Sequence, residues 1–158
     1  MFDYYHYFVD KGHYPNEDDI LKQEDYSFSS MNKNIAFDMI NEMITYAQRY
    51  NKNIGVRIIF NGEELSSSYN DEHVQWLKRK EHTVNMTGHS SYYVFLNNIR
   101  THQYDYMIEN EDYAICGGGF PLIINNEIAG TIACTGLRPH EDHDVVIHGI
   151  NYIKKRVI

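Results

Sequence analysis

Three consecutive glycines follow a cysteine in the segment Cys116-Gly117-Gly118-Gly119, which leads into Phe120 and a proline. Consecutive glycines reach backbone angles closed to other residues, and no side chain screens their N–H groups, so a carboxylate or phosphate could approach the main chain. The run also fits a bulge at a sheet edge. It matches neither a dinucleotide fingerprint nor a P-loop, because it does not open onto a helix and no Lys-Ser/Thr pair follows. Spacing alone favours the bulge.

Cysteine and histidine are the other residues that could carry chemistry. Cys116 could act as a nucleophile if a base lowered its pKa, or could ligate heme iron as a thiolate, although a cysteine at a strand end is usually a small hydrophobic residue. His140 and His143 stand three residues apart, which places two imidazoles on one helical face. A closed metal site needs further ligands that the local sequence lacks, so we interpret this segment as the polar start of a helix and predict no metal site.

The composition narrows the class of protein. A chain of 158 residues with 42% hydrophobic residues and three prolines is typical of one folded domain. The formal charge of −8 disfavours nucleic acid as a partner. We predict no membrane span, because no apolar run approaches the roughly 20 residues needed. The start lacks the features of a signal peptide and there are two cysteines, so we expect a cytoplasmic protein with free thiols.

Hydrophobic periodicity and turn residues predict the elements that position these groups. We expect helices at 17–26, 32–50, 70–88 and 141–157, with the pattern at 90–99 fitting either helix or strand. The basic triplet 78–80 is interpreted as cations at the C-terminal end of its helix, where they would favour the helix dipole. We expect five strands, at 54–60, 63–69, 113–116, 120–124 and 128–135. Residues 1–16 are predicted to be an N-terminal extension, and 17–158 a single domain.

The order of several short motifs resembles the heme-degrading-domain superfamily, in its GlcG-like and heme-binding-protein-like branch of small cytosolic proteins. The motifs are Trp76-Leu77-Lys78-Arg79-Lys80, Gly88-His89-Ser90-Ser91, Gly117-Gly118-Gly119-Phe120-Pro121, Gly130-Thr131-Ile132, Thr135-Gly136-Leu137 and Glu141-Asp142-His143. The resemblance covers about residues 21–153. It implies a profilin-like α/β (α+β) fold with a five-stranded antiparallel sheet flanked by helices, and assembly into homo-oligomers.

The resemblance also implies a pocket near the glycines. Carried onto this sequence, its ligand-binding residues are Trp76, Arg79, Lys80, Cys116, Gly117, Gly118, Gly119, Phe120 and His143. Arg79 and Lys80 would pair with an anionic group, and Cys116 or His143 would ligate iron if the ligand were heme. Many members of this branch have histidine where Cys116 stands, so a role that needs an imidazole there does not transfer.

Two functions of different classes follow from these observations. The first is a small-ligand-binding domain, with heme as a candidate cofactor and with no catalysis or only weak heme degradation. The second is an oligomeric adaptor that acts through its surface, using tyrosine-rich segments at 4–7 and 104–106. A metal-dependent hydrolase that uses His140 and His143 is a third hypothesis, which requires a tightly held metal.

Overall fold

Four antiparallel strands form one sheet in the order β2-β1-β4-β3. The computed structural model describes residues 15–156. The strands are β1 (Gly55–Phe60), β2 (Glu63–Ser68), β3 (Gly119–Ile124) and β4 (Glu127–Thr135). The helices are α1 (Glu17–Lys22), α2 (Lys33–Ala47), α3 (Asp71–Thr87), α4 (Ser91–Thr101), α5 (Asp105–Ile108) and α6 (Pro139–Arg156). The predicted extension at 1–16 lies almost wholly outside the described residues, so the domain boundary stays a prediction.

Two tight turns join the strand pairs, and both were expected from the sequence. Asn61 and Gly62 have φ of 50° and 81°, and they connect β1 to β2. Asn125 and Asn126, with φ of 49° and 67°, connect β3 to β4. A two-residue hairpin of this kind needs positive φ at both central residues, which asparagine and glycine tolerate best. Local turn chemistry therefore fixes where the strands of each hairpin begin to pair.

Side-chain caps begin the main helices. The side chain of Asn32 accepts a hydrogen bond from the N–H of Ile35 at 2.9 Å, which starts α2 as predicted. Gly88, in the left-handed conformation with φ of 76°, ends α3. The segment at 90–99, which the pattern left open between helix and strand, is helix α4, and the Ser90 side chain caps it by accepting from the N–H of Tyr93.

Helices cover both faces of the sheet. Val56 and Ile58 of β1 point towards α2 and α6 and join the larger apolar cluster there. Arg57, which lies between them, points to the opposite face and pairs with Glu81 of α3, as the alternation of side chains along a strand requires. A second apolar cluster, which includes Phe95 of α4, lies among α1, α4 and the segment that precedes β3. Thus α3 covers one face of the sheet, while α2 and α6 cover the other.

The expected fifth strand is not formed, so the five-stranded count was wrong for the described residues. Residues 113–116 are irregular because side chains of α3 take up their backbone groups. The Oγ1 of Thr83 bonds both the N–H and the C=O of Ala114 at 3.0 Å, and Nε of Arg79 donates to the C=O of Tyr113 at 2.8 Å. Phe28 makes only a single bridge to Ile124 beside β3. The observed fold is a mixed α/β fold with a four-stranded sheet.

No helix between residues 15 and 156 is both long enough and apolar enough to cross a membrane.

Candidate functional site

A cleft of about 530 Å³ opens between α3 and the start of α6. One wall is formed by α3, and the other by the segment that links β4 to α6. Its lining combines an aromatic ring, an imidazole, a thiol, apolar side chains and charged groups. The main lining residues are Lys52, His73, Trp76, Lys80, Cys116, Leu137 and Asp142. Three of the nine predicted site residues, Trp76, Lys80 and Cys116, therefore lie on one cleft.

A buried ion pair forms the floor of the cleft. Nζ of Lys80 lies 3.0 Å from Oδ2 of Asp142, and both side chains are 2% exposed. Nζ also donates to the carbonyl oxygen of Cys134 at 2.9 Å, while Oδ1 of Asp142 accepts from the N–H of Leu137 at 3.1 Å. Burial by itself lowers the pKa of Lys80, but the Asp142 carboxylate outweighs it and raises the pKa, so the side chain is an ammonium.

This placement corrects the interpretation of the basic triplet 78–80. Helix α3 ends at Thr87, as predicted, so the triplet lies in its middle and not at its C-terminal end. Lys78 is exposed, whereas Lys80 is buried against α6. Lys80 is therefore held by a specific carboxylate and not by the helix dipole. The ammonium is already neutralised by Asp142, so its charge is not available in full to an anionic ligand.

Arg79, the other predicted cation, is also engaged within the protein. Its Nε donates to the carbonyl oxygen of Tyr113, and its guanidinium lies 4.3 Å from the centroid of the Trp76 ring. Arg79 does not line the cleft. It supports one face of Trp76, as a cation placed over an aromatic ring does, and this contact fixes the orientation of the ring that forms the cleft wall.

The thiols beside the ion pair are buried and free. Burial raises the pKa of Cys116, and the neighbouring Lys80 ammonium only partly opposes this effect. Burial also raises the pKa of Cys134, whose Sγ lies 3.6 Å from Oδ1 of Asp142. A nucleophile or an iron ligand must be a thiolate. Cys116 thus lies on the cleft in a protonated state that disfavours both roles.

The three glycines serve close packing between elements. A Cβ on Gly117 would collide with the carbonyl oxygen of Pro139, and one on Gly118 would lie 2.7 Å from Nζ of Lys80. Gly118 also has φ of 127°, which other residues rarely adopt. The N–H of Gly119 donates to Oγ of Ser91 at 2.8 Å. All three residues and Phe120 are buried and do not line the cleft, so their predicted ligand contacts remain predictions that this geometry does not favour.

His143 faces away from the cleft. Its Nε2 donates to Oε1 of Gln23 at 2.6 Å, and its ring packs edge-on to Tyr92 and near Phe120. Burial lowers the pKa of His143 to about 4, and its Nδ1 has no partner among the described residues. Successive residues of an α-helix point about 100° apart, so Asp142, and not His143, projects to the cleft. His143 does not line the cleft, so a ligand role for it stays a prediction.

His73 and Lys52 line the cleft, but the sequence analysis did not single them out. His73 is buried, and its Nδ1 accepts from the N–H of Asn70 at 3.4 Å, which places it at the first turn of α3. Lys52 is exposed in the turn between α2 and β1. The one available signal was an offset of three between His73 and Trp76, which places them on one side of a helix. Nothing local in the sequence marked Lys52.

Among the described residues, no third ligand completes a metal site with His140 and His143. His140 and His143 occupy the first turns of α6, as their spacing predicted. Within residues 15–156, no group of three or more histidine, cysteine, aspartate or glutamate side chains could hold a metal ion.

Comparison with known families now identifies the superfamily. The sequence model of the HbpS-like haem degrading proteins matches residues 31–151. The chain belongs to this family. A UPF0303 protein of Psychromonas ingrahamii is 36% identical over 86 residues, which cover 52% of this chain and 54% of that relative. A UPF0303 protein of Brucella melitensis is 27% identical over 143 residues, which cover 83% of each chain.

Solved structures show the same fold at low sequence identity. The crystal structure of Ybr137w protein superposes with a TM-score of 0.81 at 19% identity, covering 94% of this chain and 93% of that one. The crystal structure of a PduOC:heme complex superposes with a TM-score of 0.63 at 13% identity, covering 77% of this chain and 94% of that one. These likenesses support the mixed α/β architecture.

Proposed function

We propose that the chain is a non-catalytic small-ligand-binding domain and that its ligand occupies the cleft between α3 and α6. The observation that carries this proposal is the combination, on one concave surface, of the Trp76 ring with the buried pair Lys80 and Asp142. Small-molecule sites usually have volumes of about 300–1,000 Å³, with mostly apolar walls and a few fixed polar groups. A cleft of about 530 Å³ falls within this range.

Heme is the first ligand to test, because the family description names haem degradation and a solved structure of this fold is a heme complex. The residues of the cleft fit part of such a ligand. Trp76, Leu137 and Pro139 offer flat and apolar surface for a ring, and Lys52 offers a cation for a carboxylate. They do not fit the iron, since Cys116 is a buried thiol with a raised pKa and His143 lies outside the cleft.

A hemin titration tests the proposal. The purified protein should bind hemin with a shifted Soret band, and Trp76→Ala should weaken binding about tenfold through loss of ring packing. Tyr152→Ala is the matched aromatic control, because Tyr152 is 37% exposed and lies outside the cleft. Equal loss in both variants, or no hemin binding by the unmodified protein, would contradict the proposal. Urea unfolding of each variant separates a folding defect from a binding defect.

Self-association is the second part of the proposal, and the alternative adaptor function also requires it. Large apolar side chains are exposed on several elements, including Phe37 at 59% and Met86 at 57%, besides Tyr106. Aromatic residues and methionine are enriched at protein interfaces. The other tyrosine-rich segment, 4–7, lies outside the described residues. Native mass spectrometry should show more than one subunit, and substitution of Tyr106 should reduce partner capture if the chain is an adaptor.

We also propose a cytoplasmic location, on the basis of the two cysteines. Cys116 and Cys134 are both free, which agrees with a reducing compartment.

A further inference from the structure

We infer that the cleft recognises a porphyrin through its ring and its carboxylates and not through its iron, with Lys52 as the carboxylate partner. The inference rests on the ligand-binding function proposed above and specifies the chemistry of that site. It follows from the state of each residue that could ligate iron and from the position of the one exposed cation of the cleft.

Neither of the two lining residues that most readily ligate heme iron, Cys116 and His73, presents a free ligand atom to the cleft. Cys116 is 2% exposed and protonated, for the reason given above. His73 uses Nδ1 to accept from the N–H of Asn70, so Nε2 carries the proton, and that nitrogen lies 3.6 Å from Oε1 of Glu72. An imidazole binds iron through an unprotonated nitrogen. His73 would have to change tautomer and lose its contact with Asn70 before it could do so.

Packing holds His73 in this position. A Cβ on Gly55 would lie 2.6 Å from the Cβ of His73, and one on Gly136 would lie 3.4 Å from its Nε2. The ring is thus enclosed from two sides by backbone that has no side chain to move aside. This close packing restricts rotation of the imidazole, so His73 is held in the orientation in which Nδ1 accepts from Asn70.

The available positive charge of the cleft is at its rim. Lys80 is paired with Asp142, and Arg79 does not line the cleft, so neither supplies a free positive charge there. Lys52 is exposed and has no ion-pair partner among residues 15–156. A lysine ammonium pairs with a carboxylate as a point charge without a fixed orientation. Such a partner suits ring substituents that reach the rim.

A second hollow adjoins the cleft at the same point. It has a volume of about 420 Å³ and shares Lys52 and Asn53 with the cleft. Its other lining includes Gln48, Tyr69 and Asn70, which can donate hydrogen bonds. The two hollows together provide an aromatic and apolar part beside Trp76 and a polar part beyond Lys52. This division matches a flat apolar ring that carries polar substituents on one edge.

The test compares three probes on the full chain: hemin, metal-free protoporphyrin IX and protoporphyrin IX dimethyl ester. Trp76 is the only tryptophan in the sequence, so quenching of its emission reports binding for all three. Hemin and the metal-free ring should bind within about threefold of each other, and the ester should bind at least about tenfold more weakly. Lys52→Ala should remove the difference between free acid and ester, whereas Lys33→Ala, an exposed lysine at the start of α2, should leave it intact.

Cys116→Ser and His73→Gln complete the design, because both remove a ligand atom and are close in size to the original side chain. The Soret band of bound hemin should be the same in both variants as in the unmodified protein. Binding of hemin without binding of the metal-free ring, or a Soret band that shifts in either variant, would overturn the inference while the proposed function stands. Failure of all three probes to quench Trp76 would overturn both.

Discussion

Two consecutive residues of α3 make buried ion pairs on different sides of the helix. Lys80 reaches Asp142 of α6 under the cleft, and Glu81 reaches Arg57 of β1 in the layer between helix and sheet. The Arg57 pair is a fork, with Nε and Nη2 donating to the two carboxylate oxygens at 2.7 and 2.6 Å. The Lys80 pair has one contact of 3.0 Å and depends on further hydrogen bonds, from Nζ to the carbonyl oxygen of Cys134 and from the N–H of Leu137 to Asp142.

The difference lies in how each charge is compensated. A planar guanidinium satisfies a carboxylate by its own geometry, and Arg57 also lies 5.4 Å from the centroid of the Tyr69 ring. An ammonium has no fixed geometry, so Lys80 relies on the carbonyl of Cys134 and on the close approach of Gly118. The first pair joins two layers of the fold. The second pair closes the floor of the cleft, and its ammonium charge is compensated within the protein.

Loss of one partner should cost most at Lys80. In Lys80→Met, the Asp142 carboxylate stays buried without its cation, so the free energy of unfolding should fall by about 3–5 kcal/mol. Urea unfolding measures this change. The double variant Lys80→Met, Asp142→Asn removes the stranded charge while the amide oxygen can still accept from the N–H of Leu137. It should be more stable than the single variant, and losses that simply add would show that the two side chains do not interact.

The sequence predicted most of the elements correctly because their signals are local. The turns at Asn61 and at Asn125, the cap at Asn32 and the stop at Gly88 each depend on a few neighbouring residues. The strand expected at 113–116 failed because pairing is not local. Its backbone groups bond to Thr83 and Arg79, and nothing within the segment itself could reveal those partners.

The candidate site was predicted only in part, for a similar reason. The motifs that carry the family resemblance predicted nine site residues, and three of them line one cleft, namely Trp76, Lys80 and Cys116. They did not distinguish Asp142 from its neighbour His143, because which of two adjacent helical residues faces the cleft depends on how α6 is rotated against the sheet. The pairing of Lys80 was hidden too, since the sequence shows the charge but not the depth at which it lies.

Lowering the pH should destabilise the protein through His143, because this side chain is buried without charge. Its pKa is about 4 in the folded chain, below the ordinary value of 6.5, so the unfolded chain takes up the proton first. Stability should be unaffected by this group above about pH 6.5 and should fall as the pH drops to 4, by up to roughly 3 kcal/mol. Urea unfolding at several pH values, compared between the unmodified protein and His143→Gln, isolates this contribution.

His89 provides the opposite case for the same measurement. A hydrogen bond to Glu24 raises the pKa of His89, so the stability that it contributes is present at low pH and is lost as the pH rises through its folded-state pKa. The difference curve of His89→Gln should therefore have the opposite sign to that of His143→Gln. Difference curves of the same sign would mean that burial does not govern the titration of His143.

Replacing each cation by the other type, in two separate variants, should change stability least, and it compares the two ion pairs directly. Arg57→Lys keeps the charge beside Glu81 but loses the fork, and it should lower the free energy of unfolding by about 1–2 kcal/mol. Lys80→Arg also keeps the charge, but the larger guanidinium has no room, because Gly118 packs against Nζ so closely that an added Cβ would lie 2.7 Å away. Lys80→Arg should therefore be the more destabilising of the two in urea. Equal losses would show that both pairs tolerate either cation and that the difference in geometry has no energetic consequence.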